Sequence, residues 1–145
     1  MNVAHGPVYV DSSALVKIFI TEEESADVQA TLKGREDLFI SDLVITEVIS
    51  SAARRAREGD VSRDLLEALA QVLLDAMGDR VFRRLDLTAE VHREAERLIL
   101  ALPFPLRAAD ALHLALAAES GCRTVLTFDG RLSRASAFVG LDAVP

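Results

Sequence analysis

Four acidic residues, Asp11, Glu47, Asp110 and Asp129, stand where a fold can gather them into one pocket. Asp11 follows Val8-Tyr9-Val10, and Asp129 follows Thr124-Val125-Leu126-Thr127-Phe128; both apolar runs read as buried strands. Glu47 and Asp110 lie inside helical patterns rich in apolar residues. Carboxylates are seldom set beside a core without a partner, because desolvating a charge is costly. A divalent cation is one such partner, and Mg²⁺ is the expected ion with Mn²⁺ as its substitute, since hard cations favour oxygen ligands. The matching chemistry is metal-dependent hydrolysis, in which an ion polarises a phosphate, orients water and stabilises the leaving oxygen. Asp11, Asp110 and Asp129 are the expected ligands. Glu47 either coordinates as well or orients the attacking water, and the set suits one or two ions.

Nearby side chains fit supporting roles. Ser13 follows Asp11 closely enough to hydrogen-bond its carboxylate or a substrate phosphate, or else to cap the adjacent helix. Thr127 offers a second hydroxyl, although a strand threonine often only packs. Arg107 precedes Asp110 by one helical turn, placed to bind phosphate or to hold the aspartate. His113 follows Asp110 by a turn and can approach the same face, but Leu112 and Leu114 flank it, so a structural, hydrogen-bonded histidine is the first reading and a catalytic base or metal ligand the second. Two arginine clusters, Arg54/Arg55/Arg57 and Arg80/Arg83/Arg84, suit phosphate or a partner's carboxylates, or simply form solvated faces.

Positioning these groups requires alternating strands and helices. Val8 to Asp11 reads as a first strand that turns directly into a helix ending near Phe19. Thr21 and Glu24 have capping-box spacing for a second helix, which Gly34 closes. Leu38 to Ile40 is the next strand, followed by a helix from Asp42 to about Arg57 and another opened by Ser62. A weaker strand at Val81 to Leu85 leads to a helix over Thr88 to Leu102, which Pro103 and Pro105 end. Arg107 to Glu119 is a strong helix, Thr124 to Phe128 a strand, and a last short strand is expected around Ala137 to Val139. This alternation predicts an α/β fold with a central, mainly parallel sheet covered on both faces. In such a sheet, ligands gather outside the C-terminal strand ends, where Asp11 and Asp129 fall.

The 145 residues form one domain over 1–145, half of them hydrophobic, which argues against disorder. The formal charge of −7 opposes non-specific adhesion to nucleic acid but not a nucleic-acid substrate. No apolar stretch reaches membrane-spanning length and residues 1–7 do not read as a signal peptide, so a cytoplasmic location without membrane contact is expected. The single Cys122 excludes an internal disulfide and a cysteine-rich zinc site. No phosphate-binding Gly-x-x-x-x-Gly-Lys loop, dinucleotide glycine fingerprint or Gly-x-Ser-x-Gly elbow is present.

The motifs resemble the PIN-domain ribonuclease family, in particular the toxins of VapBC-type toxin–antitoxin pairs. Val10-Asp11-Ser12-Ser13-Ala14-Leu15-Val16-Lys17 resembles its first acidic motif, and Thr46-Glu47-Val48 with Ser51, Ala52 and Arg54 its second. Arg107-Ala108-Ala109-Asp110-Ala111-Leu112-His113-Leu114-Ala115 resembles the third, and Thr127-Phe128-Asp129 with Arg131 and Leu132 the last. The resemblance implies a three-layer α/β/α sandwich and a divalent-metal-dependent endoribonuclease with Asp11, Glu47, Asp110 and Asp129 as its acidic site. Ser13 and Thr127 are then supporting residues. It also implies water attack leaving a 5′-phosphate and a 3′-hydroxyl, an antitoxin partner and a homodimer. The competing readings are a metal-dependent phosphatase, a DNA nuclease and a non-catalytic PIN-like binding module.

Overall fold

Val8, Tyr9 and Val10 are all buried, so neither face of this strand meets solvent. In the computed structural model, which describes residues 3–78 and 81–145, β1 (Val8–Val10) accordingly takes the centre of the sheet. It pairs in parallel with β2 (Leu38–Ser41) on one side and β4 (Thr124–Leu126) on the other. Outside these lie β3 (Arg83–Leu85) and β5 (Asp142–Val144), giving the all-parallel order β3-β2-β1-β4-β5. Apolar runs without alternation are what a parallel sheet covered on both faces demands.

The helices divide between the two faces. Parallel strands joined by right-handed crossovers put α1 (Ser12–Phe19), α2 (Ser25–Leu32), α3 (Asp42–Arg57) and α4 (Arg63–Gly78) on one face. The reversed direction after β3 puts α5 (Ala89–Ala101), α6 (Ala108–Glu119) and α7 (Gly130–Phe138) on the other. Packing agrees: α1 lies against α2 and α3, α3 against α4, and α6 against α5 and α7. The result is the expected three-layer α/β/α sandwich. On α6 the run from Asp110 to Ala117 is buried except at Leu112, so this helix lacks a solvated face along most of its length.

Local chemistry sets the helix starts. Ser41 Oγ accepts from the Val44 N–H at 3.2 Å, Ser62 Oγ from Leu65 at 3.1 Å and Thr88 Oγ1 from Val91 at 3.2 Å. The Thr21–Glu24 capping box does not form. Glu24 sits in a left-handed backbone at φ 63° and sends its carboxylate to Lys17 Nζ at 2.9 Å, while Ser25 Oγ accepts from the Glu22 N–H at 2.9 Å. The tail also departs from expectation. Ala137 and Phe138 end α7 and Val139 is its C-cap, whereas the last strand is Asp142–Val144, beyond Gly140 at φ 83°. Asp129 caps α7 through Oδ1, accepting from Arg131 N–H at 2.8 Å and Leu132 N–H at 3.2 Å, so the chain turns helical where an extended segment was read. Of the second arginine cluster, Arg80 lies outside the described residues; Arg84 pairs with Asp42, and Arg83 covers the Phe39 ring.

Candidate functional site

The chain leaves β1 toward one side of the sheet and β4 toward the other, which opens a crevice at their C-terminal ends. Asp11 overhangs it, its backbone N–H held by Leu126 C=O at 3.0 Å. Its Oδ2 accepts from Ser13 Oγ at 2.7 Å and Thr127 Oγ1 at 2.8 Å. Each hydroxyl is itself oriented, since Ser13 Oγ accepts from Phe128 N–H at 2.9 Å and Thr127 Oγ1 from Asp129 N–H at 3.0 Å. Ser13 and Thr127 therefore serve the carboxylate rather than a helix cap or mere packing. Oδ1 has only longer contacts, 3.4 Å to Ser12 Oγ and 3.5 Å to His113 Nε2, and lies on the side of His113 and Glu47.

His113 is 2% exposed and bonded at both nitrogens. Nε2 is hydrogen-bonded to Glu47 Oε1, and Nδ1 lies 2.8 Å from Tyr9 Oη, which is 2.8 Å from Ser41 Oγ. Because Val44 N–H already donates to Ser41, giving each hydroxyl proton an acceptor fixes a direction: Ser41 donates to Tyr9, and Tyr9 to Nδ1. The imidazole proton then sits on Nε2, donated to Glu47. Burial alone lowers the His113 pKa, but the Glu47 hydrogen bond and the charges of Asp11, Glu47 and Asp110 reverse this and raise it. In the protonated ring both nitrogens donate, Nε2–H to Glu47 and Nδ1–H to the Tyr9 hydroxyl.

A raised folded pKa gives a signed prediction. The stabilisation from His113 in metal-free protein is fully present below its unfolded pKa of about 6.5 and is lost as pH rises through the higher folded value. Urea midpoints in EDTA, followed upward from about pH 6, should fall across that window and flatten in His113→Gln. A wild-type profile as flat as the variant's would refute the coupling.

Ligand atoms of Asp11, Glu47 and His113 all lie within 4.8 Å of one another. Two carboxylate oxygens fit a divalent cation without selecting Mg²⁺ over Mn²⁺, and the imidazole nitrogen joins them only once Nε2 has lost the proton it gives to Glu47. Asp110 and Asp129 are brought to the same rim but through Arg107, whose Nε donates to Asp110 Oδ2 at 2.9 Å and Nη2 to Asp129 Oδ2 at 3.0 Å. The hydrogen bond that Arg107 donates to Asp110, then the charge of Asp110 and that of Asp129, hold the Arg107 pKa up. The four expected carboxylates thus form two neighbouring groups, joined by Thr127 between Asp11 and Asp129 and by one turn of α6 between Asp110 and His113. Sequence reading set His113 apart as structural; it is structural and also completes the cluster, as its one-turn spacing from Asp110 hinted. Tyr9 and Ser41 were missed. Their sole signal was a hydroxyl-bearing ring in a strand otherwise valine, which needs a partner when buried.

The family described as the PIN domain matches residues 8–137. The chain belongs to the PIN-domain family. Among curated relatives, ribonuclease VapC46 of Mycobacterium tuberculosis is 32% identical over 139 residues, covering 94% of this chain and 95% of the relative. The M. tuberculosis toxin VapC20, whose structure is described as that of a Sarcin-Ricin loop cleaving toxin, aligns with a TM-score of 0.71 at 19% identity, covering 88% of this chain and 94% of that one. VapBC2 of Rickettsia felis, solved on a DNA fragment from its promoter, aligns at a TM-score of 0.66 and 11% identity, covering 96% and 98%. This PIN domain therefore resembles VapC-type toxins, and its Asp/Glu/His cluster is compatible with metal-dependent nuclease activity. No described helix of the PIN domain is long and apolar enough to cross a membrane.

Proposed function

We propose that this PIN domain is a divalent-metal-dependent endoribonuclease and the toxin of a type II toxin–antitoxin pair. The observation that carries the proposal is the division of labour at Asp11: one oxygen is saturated by two oriented hydroxyls, and the other meets His113 and Glu47 at the sheet's switch point. The names of VapC46 and VapC20 support RNA as the substrate. Asp11, Glu47, Asp110 and Asp129 are the proposed metal and catalytic residues, with His113 as the residue that positions Glu47. A divalent ion, Mg²⁺ or Mn²⁺, supplies Lewis acidity and a nucleophilic water when bound.

The chain's own residues hold the reacting groups. Ser13 and Thr127 fix the Asp11 carboxylate, so its other oxygen needs no reorganisation. His113 fixes Glu47, which is half-buried and positioned to take a proton from the attacking water. Arg107, whose side chain is 58% exposed, presents a guanidinium beside the carboxylates to meet the substrate phosphate. Replacing it in Arg107→Ala should raise KM for RNA about tenfold while divalent-ion affinity stays equal or rises, because a competing cation leaves Asp110 and Asp129. Parallel losses of substrate and ion affinity would make Arg107 a positioning residue for Asp110 instead.

An antitoxin partner is supported by the VapBC2 assembly, and a homodimer by the exposed Leu65, Val72 and Leu74 on α4. An RNA substrate implies a cytoplasmic site of action. The deciding test is incubation of antitoxin-free protein with total RNA in Mg²⁺ or Mn²⁺ against EDTA, with end sequencing. Discrete metal-dependent cuts with 5′-phosphates establish the activity. Equal cutting of matched DNA, or phosphate release from small monoesters without RNA cleavage, would replace it with the corresponding alternative. Folded, ion-loaded protein that cuts nothing would leave a binding module.

A further inference from the structure

One face of α3 continues from the acidic cluster into a polar crevice of about 340 Å³, lined by Ser12, Glu47, Ser50, Ser51, Arg54 and Arg57. Apart from Glu47, every side chain in the lining is a hydrogen-bond donor or a cation. The helical repeat places Arg54 about 10 Å and Arg57 about 15 Å along the axis from Glu47. The neighbouring Arg55 points elsewhere and is held by Glu22, which also takes Lys17. Arg54 and Arg57 have no acidic partner among the described residues, in a chain whose formal charge is −7. Two unpaired guanidinium groups beside serine hydroxyls are the chemistry of a phosphate cradle, not of an internal structural brace.

We propose that this crevice is a backbone subsite that holds the phosphates of nucleotides flanking the scissile bond, with Arg54 and Arg57 as its anchors and Ser50 and Ser51 as neutral donors. The proposal rests on the ribonuclease reading, since it places the scissile phosphate at Asp11, Glu47 and His113. From there α3 offers the next phosphates a continuous row of donors along one helix face. Such a subsite contacts backbone without reading bases, so it adds affinity and register rather than sequence preference. A partner protein's carboxylates would satisfy the same arginines, but they have no reason to lie in line with a metal-binding carboxylate.

The test uses a short fluorescein-labelled, single-stranded oligoribonucleotide spanning a mapped cut. Anisotropy in EDTA gives the dependence of binding on salt, and steady-state cleavage in Mn²⁺ gives KM and kcat. In the Arg54→Ala/Arg57→Ala double variant the slope of log affinity against log salt should shrink by about 0.7 for each arginine removed. KM should rise about five- to tenfold with kcat within about twofold of wild type. The Arg54→Lys/Arg57→Lys variant should restore the slope, and Arg93→Ala on the exposed surface of α5 should leave it unchanged. Wild-type cleavage together with an unaltered slope and KM in the alanine variant would overturn the subsite and leave the nuclease standing. An equal fall in Arg93→Ala would also overturn it, by making the effect a diffuse field. Wild type that neither binds nor cuts RNA would overturn both readings together.

Discussion

Asp11→Asn should fold, lose more than about 100-fold in RNA turnover and stay within about 1 kcal/mol of wild type in EDTA. The two expectations come from opposite sides of one carboxylate. An asparagine carbonyl still accepts from Ser13 and Thr127, which keeps the ties to the Phe128 and Asp129 backbone. At the other position a neutral amide replaces the oxygen that faces His113 and Glu47, and an amide is a poor ligand for a hard cation. Circular dichroism and urea denaturation report the first expectation; initial rates on a mapped substrate report the second. Normal turnover by the folded variant would remove Asp11 from the proposed chemistry.

His113→Ala should do more damage to the fold, costing about 3 kcal/mol in the metal-free protein. The change opens a cavity beneath the site and strips a hydrogen-bond partner from Tyr9, which is fully buried. Glu47, half-buried, loses the group that orients it. Divalent-ion affinity, measured by calorimetry with Mn²⁺, should fall by about 10- to 100-fold, the range found when groups that orient metal ligands are removed. A variant with full ion affinity and reduced stability would confine His113 to structure. A variant with full stability would contradict the buried hydrogen-bond chain itself.

The legible and illegible parts of the site differ in physical origin. Asp11 and Asp129 were readable because each follows an apolar run that only a buried strand explains, and parallel strands share a rim. Glu47 and Asp110 were readable as acids out of place in apolar helical patterns. The division of the acids was not readable, because it depends on Arg107 reaching across 22 residues to Asp129 as well as one turn to Asp110. The Tyr9–His113 bond was hidden for a similar reason: it depends on which face of β1 the ring takes and how α6 lies over it. The tail strand was misplaced because Asp129 was weighed as a ligand and not as the cap of α7, a role its Oδ1 performs. In the first two cases the missing information was a pairing between distant segments, and in the third a local cap two and three residues away, while composition and spacing had specified the segments themselves.

Those distant pairings bear on when this protein can act. Asp11 is tied to Thr127 across 116 residues, Ser13 to Phe128 across 115, and Tyr9 to His113 across 104. A chain still emerging from the ribosome has made Asp11 and Glu47 long before the residues that orient them. Until Thr127 and Asp129 have left the exit tunnel and paired with the first strand, the acids are separate surface charges on an unfinished sheet. Under the proposed function, cleavage therefore waits for the segment that carries Thr127 and Asp129, and not for Asp11 and Glu47.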